Sequence, residues 1–290
     1  ERRYLNLALY FLNDRGHGLL GHDEASAIYV QDRVPVREAT VVEGHAVRAL
    51  YLTSGVADAY METGEQALLD ALQRQWRDVV QHKLFITGGL GSRISGEAFG
   101  EPYELPNDIC YCETCAQIAS IMWNWRMLLI TGEARFADLI ERTLFNGFLS
   151  GRSLDGVRTR YENPLLRRAY RPAPGPHGNE RAEWYPCACC PPNIMRLLSS
   201  LSHYIASEDD TGVQIHQYAQ ADIAFHAGAT KLHIRTDYPW QGAVSHRKRQ
   251  KGRYREQRWL CCDQAAMASR RHCSARPADV AAADRWSSAH

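Results

Sequence analysis

The first two thirds of the chain repeat one pattern: apolar residues at helical spacing, then a short polar or glycine-bearing break. Leu5, Leu7, Ala8, Phe11 and Leu12 open the sequence with that period, and Gly16 is a stop signal. Residues 43–62 carry the same period and stop at Gly64. Residues 65–84 follow, with Ala67, Leu68, Ala71, Leu72, Trp76, Val79 and Val80. Residues 113–130 are strongly apolar, and Gly132 separates them from a further helical stretch over 133–149. Consecutive helices with short connections predict stacked helical hairpins. Thr87-Gly-Gly-Leu-Gly-Ser reads as a loop, 161–165 as a short strand and 172–179 as a Pro/Gly-rich loop. Pro191 and Pro192 open another helix, expected to reach Ser207, because proline suits a first helical turn. Beyond residue 208 the pattern turns to strands, with Val213, Ile215 and Tyr218, then Leu232, Ile234 and Tyr238.

After Val244 the pattern collapses. The last 46 residues hold one Leu and one Val, with no Ile and no Phe. They carry eleven Lys/Arg against four Asp/Glu, a charge of +7. The first 244 residues carry 23 against 29, or −6, so the overall +1 hides an asymmetry. A segment so poor in apolar residues cannot offset its ordering entropy. Residues 245–290 are therefore expected to be an aberrant, disordered basic tail, as a shifted reading frame would produce. The tail shows no nucleic-acid recognition module, so no nucleic acid is expected as partner. The whole chain, with 45% hydrophobic and 23% charged residues, has a globular composition. It has no apolar run of about 18 residues, so no membrane span is expected. It also opens inside a helical pattern at Glu1, the expectation for an incomplete N-terminus. The domains predicted are a helical one over 1–208, the start of a β domain over 209–244, and the tail.

The chemistry concentrates in cysteine. There are nine, and six form two clusters: Cys110-Tyr-Cys112-Glu113-Thr-Cys115 and Cys187-Ala-Cys189-Cys190-Pro-Pro-Asn193. An odd total with adjacent cysteines suits a disulfide framework poorly. Two thiolate groups gathered by a fold suit zinc, which takes four ligands from Cys, His and carboxylate. Glu113 and Cys115 at one helix start, and Cys189 and Cys190 at another, can face one ion. A helix N-terminus also favours thiolate. A closed structural staple, inert buried thiols and a reactive site all remain open on spacing alone. The neighbouring loop adds acidic residues among aromatics: Glu97, Phe99, Glu101, Tyr103, Glu104 and Asp108. Such a loop suits sugar hydroxyls and can supply a general acid, or it is simply a solvated acidic surface. His45, beside Val47, Leu50 and Tyr51, reads by itself as a packed or surface histidine.

Together the motifs Gly44-His-Ala-Val-Arg, Thr87-Gly-Gly-Leu-Gly-Ser, Gly96-Glu-Ala-Phe, Leu105-Pro-Asn-Asp, Glu113-Thr-Cys-Ala and Cys187-Ala-Cys-Cys-Pro-Pro-Asn resemble glycoside hydrolase family 127, the β-L-arabinofuranosidases. The resemblance covers about residues 1–240 and leaves out the tail. It implies a mainly α protein with β, a partial (α/α)6 barrel followed by the start of a β-sandwich. It implies Zn2+ held by Glu113, Cys115, Cys189 and Cys190, with Cys189 as nucleophile and Glu97 as general acid/base. It also places His45 at the sugar site and Tyr161 near the nucleophile. The implied activity is retaining hydrolysis of a β-L-arabinofuranosyl oligosaccharide or glycoconjugate. The other class of function compatible with the motifs is a non-catalytic, zinc-stapled sugar- or partner-binding protein. Such a barrel needs about twelve helices and the pattern supplies about six, so a chain lacking the first half is expected to fold poorly alone and turn over weakly. A homodimer is the assembly expected, and reduced thiols on zinc point to the cytoplasm.

Overall fold

The structure is a computed structural model. It describes residues 2–168, 180–187, 189–210, 212–225 and 231–239, and the backbone of 243–250, 253–260 and 276–277. The described chain is mainly helical with small antiparallel sheets, and it divides into two compact units. The first comprises Glu1–Met127 and Asp138–Arg196; the second comprises Leu128–Ala137 and Leu197–His290.

The first unit holds α1 (Arg2–Asp14), α2 (Glu24–Tyr29), α3 (Ala46–Thr63) and α4 (Gln66–Asp78). It also holds most of α5 (Thr114–Thr131), the C-terminal half of α6 (Ala134–Arg142) and the start of α7 (Cys190–Ser200). α3 and α4 form a helical hairpin. Gly64 takes the left-handed conformation (φ 69°) and returns its N–H to the Tyr60 carbonyl at 2.8 Å, closing α3 so that α4 can reverse. The facing sides are apolar: Ala49, Leu50, Val56 and Ala57 from α3, and Leu68, Leu69, Leu72 and Trp76 from α4, are buried. Trp76 Nε1 then donates to Asn124 Oδ1 of α5 at 2.8 Å, so an aromatic at the hairpin's edge finds its polar partner on the next helix. α4 runs into a π-helical turn, Val79–Lys83, and α6 into a second, Thr143–Phe148. The sequence pattern reads both stretches as uninterrupted helix, because the wider turn still presents apolar residues on the inner face. α2 was not legible in the sequence. Its six residues carry too little periodicity, and a capping box between Asp23 and Ser26 defines it instead.

The second unit takes the end of α5, the start of α6 and the end of α7, and from Ala206 its described part is β structure. β1 (Ala206–Asp209) pairs antiparallel with β2 (Gly212–Ile215) and with β7 (Arg276–Pro277). β3 (Ala221–Ala224), β4 (Lys231–Thr236), β5 (Ala243–Gln250) and β6 (Arg253–Leu260) form an antiparallel meander. Ala206, Ile223, Phe225, Leu232 and Ile234 make its core. Leu232 and Ile234 alternate with the outward Lys231, His233 and Arg235, as the strand period requires.

Three expectations change. The helix starting at Pro191 does not reach Ser207. It ends at Ser200, a tight turn covers Leu201–Tyr204, and β1 starts at Ala206. Asp209 Oδ1 accepts from the Gly212 amide at 3.0 Å, and this hairpin turn draws 206–209 into pairing. The short strand expected over 161–165 reduces to a single bridge, Glu113 to Glu162, because its neighbour turns into α5 at once. Within the basic segment, the backbone of β5 and β6 pairs over eight residues each. Backbone hydrogen bonds need no apolar side chains to form a ladder. The remainder of 245–290 and the loop expected over 172–179 lie outside the described residues.

Candidate metal and catalytic centre

Two helix starts build the centre. The Glu113 carbonyl accepts from the amides of Ala116 (3.1 Å) and Gln117 (3.2 Å), which makes Glu113 the residue that begins α5 and places Cys115 in its first turn. The Cys189 carbonyl accepts from the Asn193 amide at 3.2 Å and begins α7 in the same way. The fold faces these starts toward each other. Cys115 Sγ lies 3.3 Å from Cys190 Sγ, and Cys189 Sγ lies 3.8 Å from Cys190 Sγ. Both Cys189 and Cys190 lie 3.6 Å from Glu113 Oε1. The four ligand atoms all fall within 4.8 Å of one another. Glu113, Cys115 and Cys190 are at most 2% exposed, whereas Cys189 is open to solvent.

This donor set fits a zinc ion. Tetrahedral zinc with sulfur at about 2.3 Å separates its sulfurs by about 3.8 Å, close to the spacings here. Glu113 Oε2 is buried with no hydrogen-bond partner. Burial, then the charges of Glu97 and Cys189, push the Glu113 carboxyl up to about 9. Burial drives the Cys190 thiol well up, and Cys115 is raised first by its bond to Cys189. The Cys189 thiol is held well below the usual range by bonds from Cys115 and Cys190. Four groups that would each be anionic as ligands thus share one largely buried recess, and among the described residues no cationic side chain pairs with them; a divalent cation would supply that counter-charge.

Glu97 sits at the end of a tight turn, Ser95–Glu97, with Gly96 at φ 71° and Glu97 itself at φ 49°. A non-glycine residue in the left-handed region is strained and held there by its surroundings. Here Arg93 and Ala98 exchange backbone hydrogen bonds of 3.0 Å each, and the Phe99 amide bonds the Gly44 carbonyl at 2.9 Å. That last bond ties the turn to the start of α3, where His45 stands. His45 is the residue that begins α3 rather than one within the helix, as the pattern over 43–62 implied. Its Nδ1 accepts from the Val47 amide at 3.2 Å, so Nε2 carries the proton and donates to Glu97 Oε2 at 2.9 Å. Tyr111 OH donates to Glu97 Oε1 at 2.9 Å. The His45 bond is the main cause holding the Glu97 carboxyl below its ordinary value. The Tyr111 bond adds to it, while burial and the charge of Cys189 oppose it.

Tyr161 is 1% exposed and its OH lies 2.9 Å from Cys189 Sγ and 3.5 Å from Cys187 Sγ. Its ring packs edge-on against Tyr185 and Tyr111 at 5.4 and 6.2 Å between centroids. All seven residues singled out from the sequence, His45, Glu97, Glu113, Cys115, Tyr161, Cys189 and Cys190, therefore lie around one recess in the first unit. The other acids of the loop do not join them. Glu104 pairs with Arg93 at 2.6 Å and Asp108 with Arg168 at 2.9 Å, both as surface ion pairs. Cys110 and Cys112 pack in a separate cluster with Phe85. Tyr111 and Tyr185 were missed. Spacing carries no signal for them: Tyr111 packs in the cluster of Cys115 and Cys190 while Cys110 and Cys112 pack elsewhere, and Cys112 takes a left-handed conformation (φ 41°) that no apolar period announces.

A thiol-rich recess that could hold a metal ion, with a carboxylate clamped beside it, is thus the candidate centre. The chain belongs to glycoside hydrolase family 127: the profile of that family's β-L-arabinofuranosidase catalytic domain matches residues 1–203. It is 36% identical to a non-reducing end β-L-arabinofuranosidase of Bifidobacterium longum, over 85% of this chain and 40% of that protein. A family 127 β-L-arabinofuranosidase from Geobacillus stearothermophilus superimposes with a TM-score of 0.79 at 35% identity, covering 86% of this chain and 42% of the other. A second solved β-arabinofuranosidase of the family gives 0.77 at 37% identity, covering 86% and 38%. The chain thus spans about two fifths of the length of these relatives.

Proposed function

We propose that this chain carries the catalytic centre of a zinc-dependent retaining glycosidase that releases L-arabinose from β-L-arabinofuranosides. The observation that carries the proposal is the gathering of Glu113, Cys115, Cys189 and Cys190 with Cys189 alone open to solvent, beside a carboxylate held at both oxygens. The helices of the first unit are read as the later part of an (α/α)6 barrel and the sheets as the start of a β-sandwich, with domains over 1–208 and 209–244.

Glu113, Cys115, Cys189 and Cys190 would hold the zinc, which would keep the sulfurs as thiolates near neutral pH. Cys189 sulfur attacks the anomeric carbon as the glycosidic C–O bond breaks. Glu97 gives its proton to the departing oxygen, and a thioglycosyl link to Cys189 results. Glu97 then takes a proton from water, which displaces the sulfur and leaves the sugar with retained configuration. The electrostatics favour the base half of this alternation. The His45 and Tyr111 hydrogen bonds hold the Glu97 carboxyl below its ordinary value, and negative charge on Cys189 opposes them only in part. A sulfur bonded to sugar carries no charge, so those bonds then act without that opposition and favour the carboxylate needed as base. Tyr161 OH positions the Cys189 sulfur.

The test is release of a chromogenic β-L-arabinofuranoside by the zinc-loaded chain, with Cys189→Ser and Glu97→Gln. Wild-type turnover is expected to be weak, and both substitutions to reduce it by at least about 100-fold while Glu97→Gln keeps its zinc. A haloacetyl arabinofuranosylamine is expected to label Cys189 whether or not turnover is measurable. Turnover indifferent to both substitutions, or labelling elsewhere, would leave a non-catalytic zinc staple as the better account.

A further inference from the structure

Cys187 belongs to the second cysteine cluster but not to the four-ligand set, and like Cys189 it is exposed. Its sulfur lies 3.9 Å from Cys189 Sγ, and Tyr161 OH touches both sulfurs, at 3.5 and 2.9 Å. We propose that Cys187 is a resolving thiol, which captures Cys189 oxidised by hydrogen peroxide as a reversible Cys187–Cys189 disulfide.

The competing partners are excluded by geometry and access. Cys190 Sγ is as near to Cys189, at 3.8 Å, but the two are chain neighbours. Adjacent Cα atoms are about 3.8 Å apart across a trans peptide, below the roughly 4.4 Å at which ordinary disulfides begin. Cys190 is also fully buried in the first turn of α7. Cys115 and Cys190 are closer still, at 3.3 Å, yet both are buried where an oxidant in water does not reach. Residues two apart can sit anywhere up to about 7 Å, a span that includes the usual disulfide separations of about 4.4–6.8 Å, and the two sulfurs already lie 3.9 Å apart.

The steps balance. Cys189 sulfur attacks one peroxide oxygen, the O–O bond breaks, and the departing oxygen leaves as water, giving a sulfenic acid. Cys187 sulfur then loses its proton and attacks Cys189 sulfur. The S–O bond breaks, and the second water leaves. Two thiols supply the two electrons that reduce one peroxide. The bridge removes one sulfur from the ligand set and protects it from irreversible further oxidation. That it also silences the enzyme rests on Cys189 being the nucleophile; the bridge itself does not.

The experiment treats the zinc-loaded full chain with hydrogen peroxide, then reads tryptic masses and released zinc. The peptide spanning 182–196 is expected to lose about 2 Da, in step with zinc release, and dithiothreitol is expected to reverse both. In Cys187→Ser that loss disappears and the same peptide gains about 32 Da as sulfinic acid, which thiol does not reverse. Cys187→Ala serves if the serine variant folds poorly, and tandem spectra of the wild-type peptide locate the bridge without any variant. The proposal is overturned if wild type goes straight to the sulfinic acid or does not react. It is equally overturned if Cys187→Ser still loses 2 Da, or if the bridge joins this peptide to 94–126. Activity measured in parallel separates the two claims: a reversible bridge without loss of turnover would refute only the nucleophile.

Discussion

Replacing Lys83 by Met should loosen the start of α3 from beneath. Lys83 Nζ lies 3.1 Å from Asp78 Oδ2 and donates to the Val42 carbonyl at 2.6 Å, while the Val42 amide donates to the same Asp78 oxygen at 2.9 Å. Both charged side chains are nearly inaccessible, at 6% and 7%. The π-helical turn Val79–Lys83 brings the ammonium back over Asp78, and the two residues together hold both backbone groups of Val42, three residues before His45. Methionine keeps the apolar stem and removes the cation. Breaking a buried pair costs about 3–5 kcal/mol. Asp78 keeps the Val42 amide and a 3.1 Å contact with His82 Nδ1, which places the loss near the lower limit, about 3 kcal/mol. For a unit of this size that corresponds to a fall in Tm of roughly 6–12 °C. Urea denaturation with an unchanged m-value measures it. Adding Asp78→Asn should recover at least half, because a neutral amide still accepts from Val42 and needs no counter-ion. A loss below about 1 kcal/mol, or a double variant no better than the single one, would refute the reasoning.

Cys115→Ser should weaken zinc binding by well over tenfold, since even outer hydrogen-bond partners of metal ligands are worth about 10–100-fold; metal content after dialysis reads this, and full retention would count against the four-ligand set. Asp32 is buried and accepts from the amides of Gly16 (2.6 Å) and Leu20 (2.7 Å). Burial opposes its charge, but those bonds outweigh it and lower its carboxyl value. A lowered folded value means stability present above the ordinary aspartate range and lost as pH falls through that lower value. Asp32→Asn should therefore cost about 1–3 kcal/mol at pH 7, and the gap to wild type should narrow below about pH 4; a gap independent of pH would contradict the assignment. Gly88→Ala combines a φ of 84° with a new Cβ only 2.4 Å from Thr143 Oγ1 and 2.8 Å from Thr143 Cα. It should destabilise by about 2 kcal/mol or more, and an unchanged thermal midpoint would show that the loop shifts freely.

Much of this protein is written in local order. Gly64 and Gly132 punctuate helices whose apolar spacing is regular enough to read directly, and Leu232 and Ile234 announce a strand in the same way. The two cysteine clusters and the motif Gly96-Glu97-Ala98-Phe99 are equally local, and motif order alone pointed to the family. What tertiary structure decided lies between segments distant along the chain. It brought Cys115 against Cys190 across 75 residues, left Cys189 as the exposed one of the three grouped sulfurs, and turned Glu104 and Asp108 outward to arginines while Glu97 faced inward. It also recruited Tyr111 and made His45 a fixed hydrogen-bond donor instead of a loose pocket residue. Periodicity reports which face of a segment is apolar, because that depends only on backbone geometry. Which polar atoms meet inside depends on how those faces dock, and a hydrogen bond made or missed by one ångström leaves no trace in spacing.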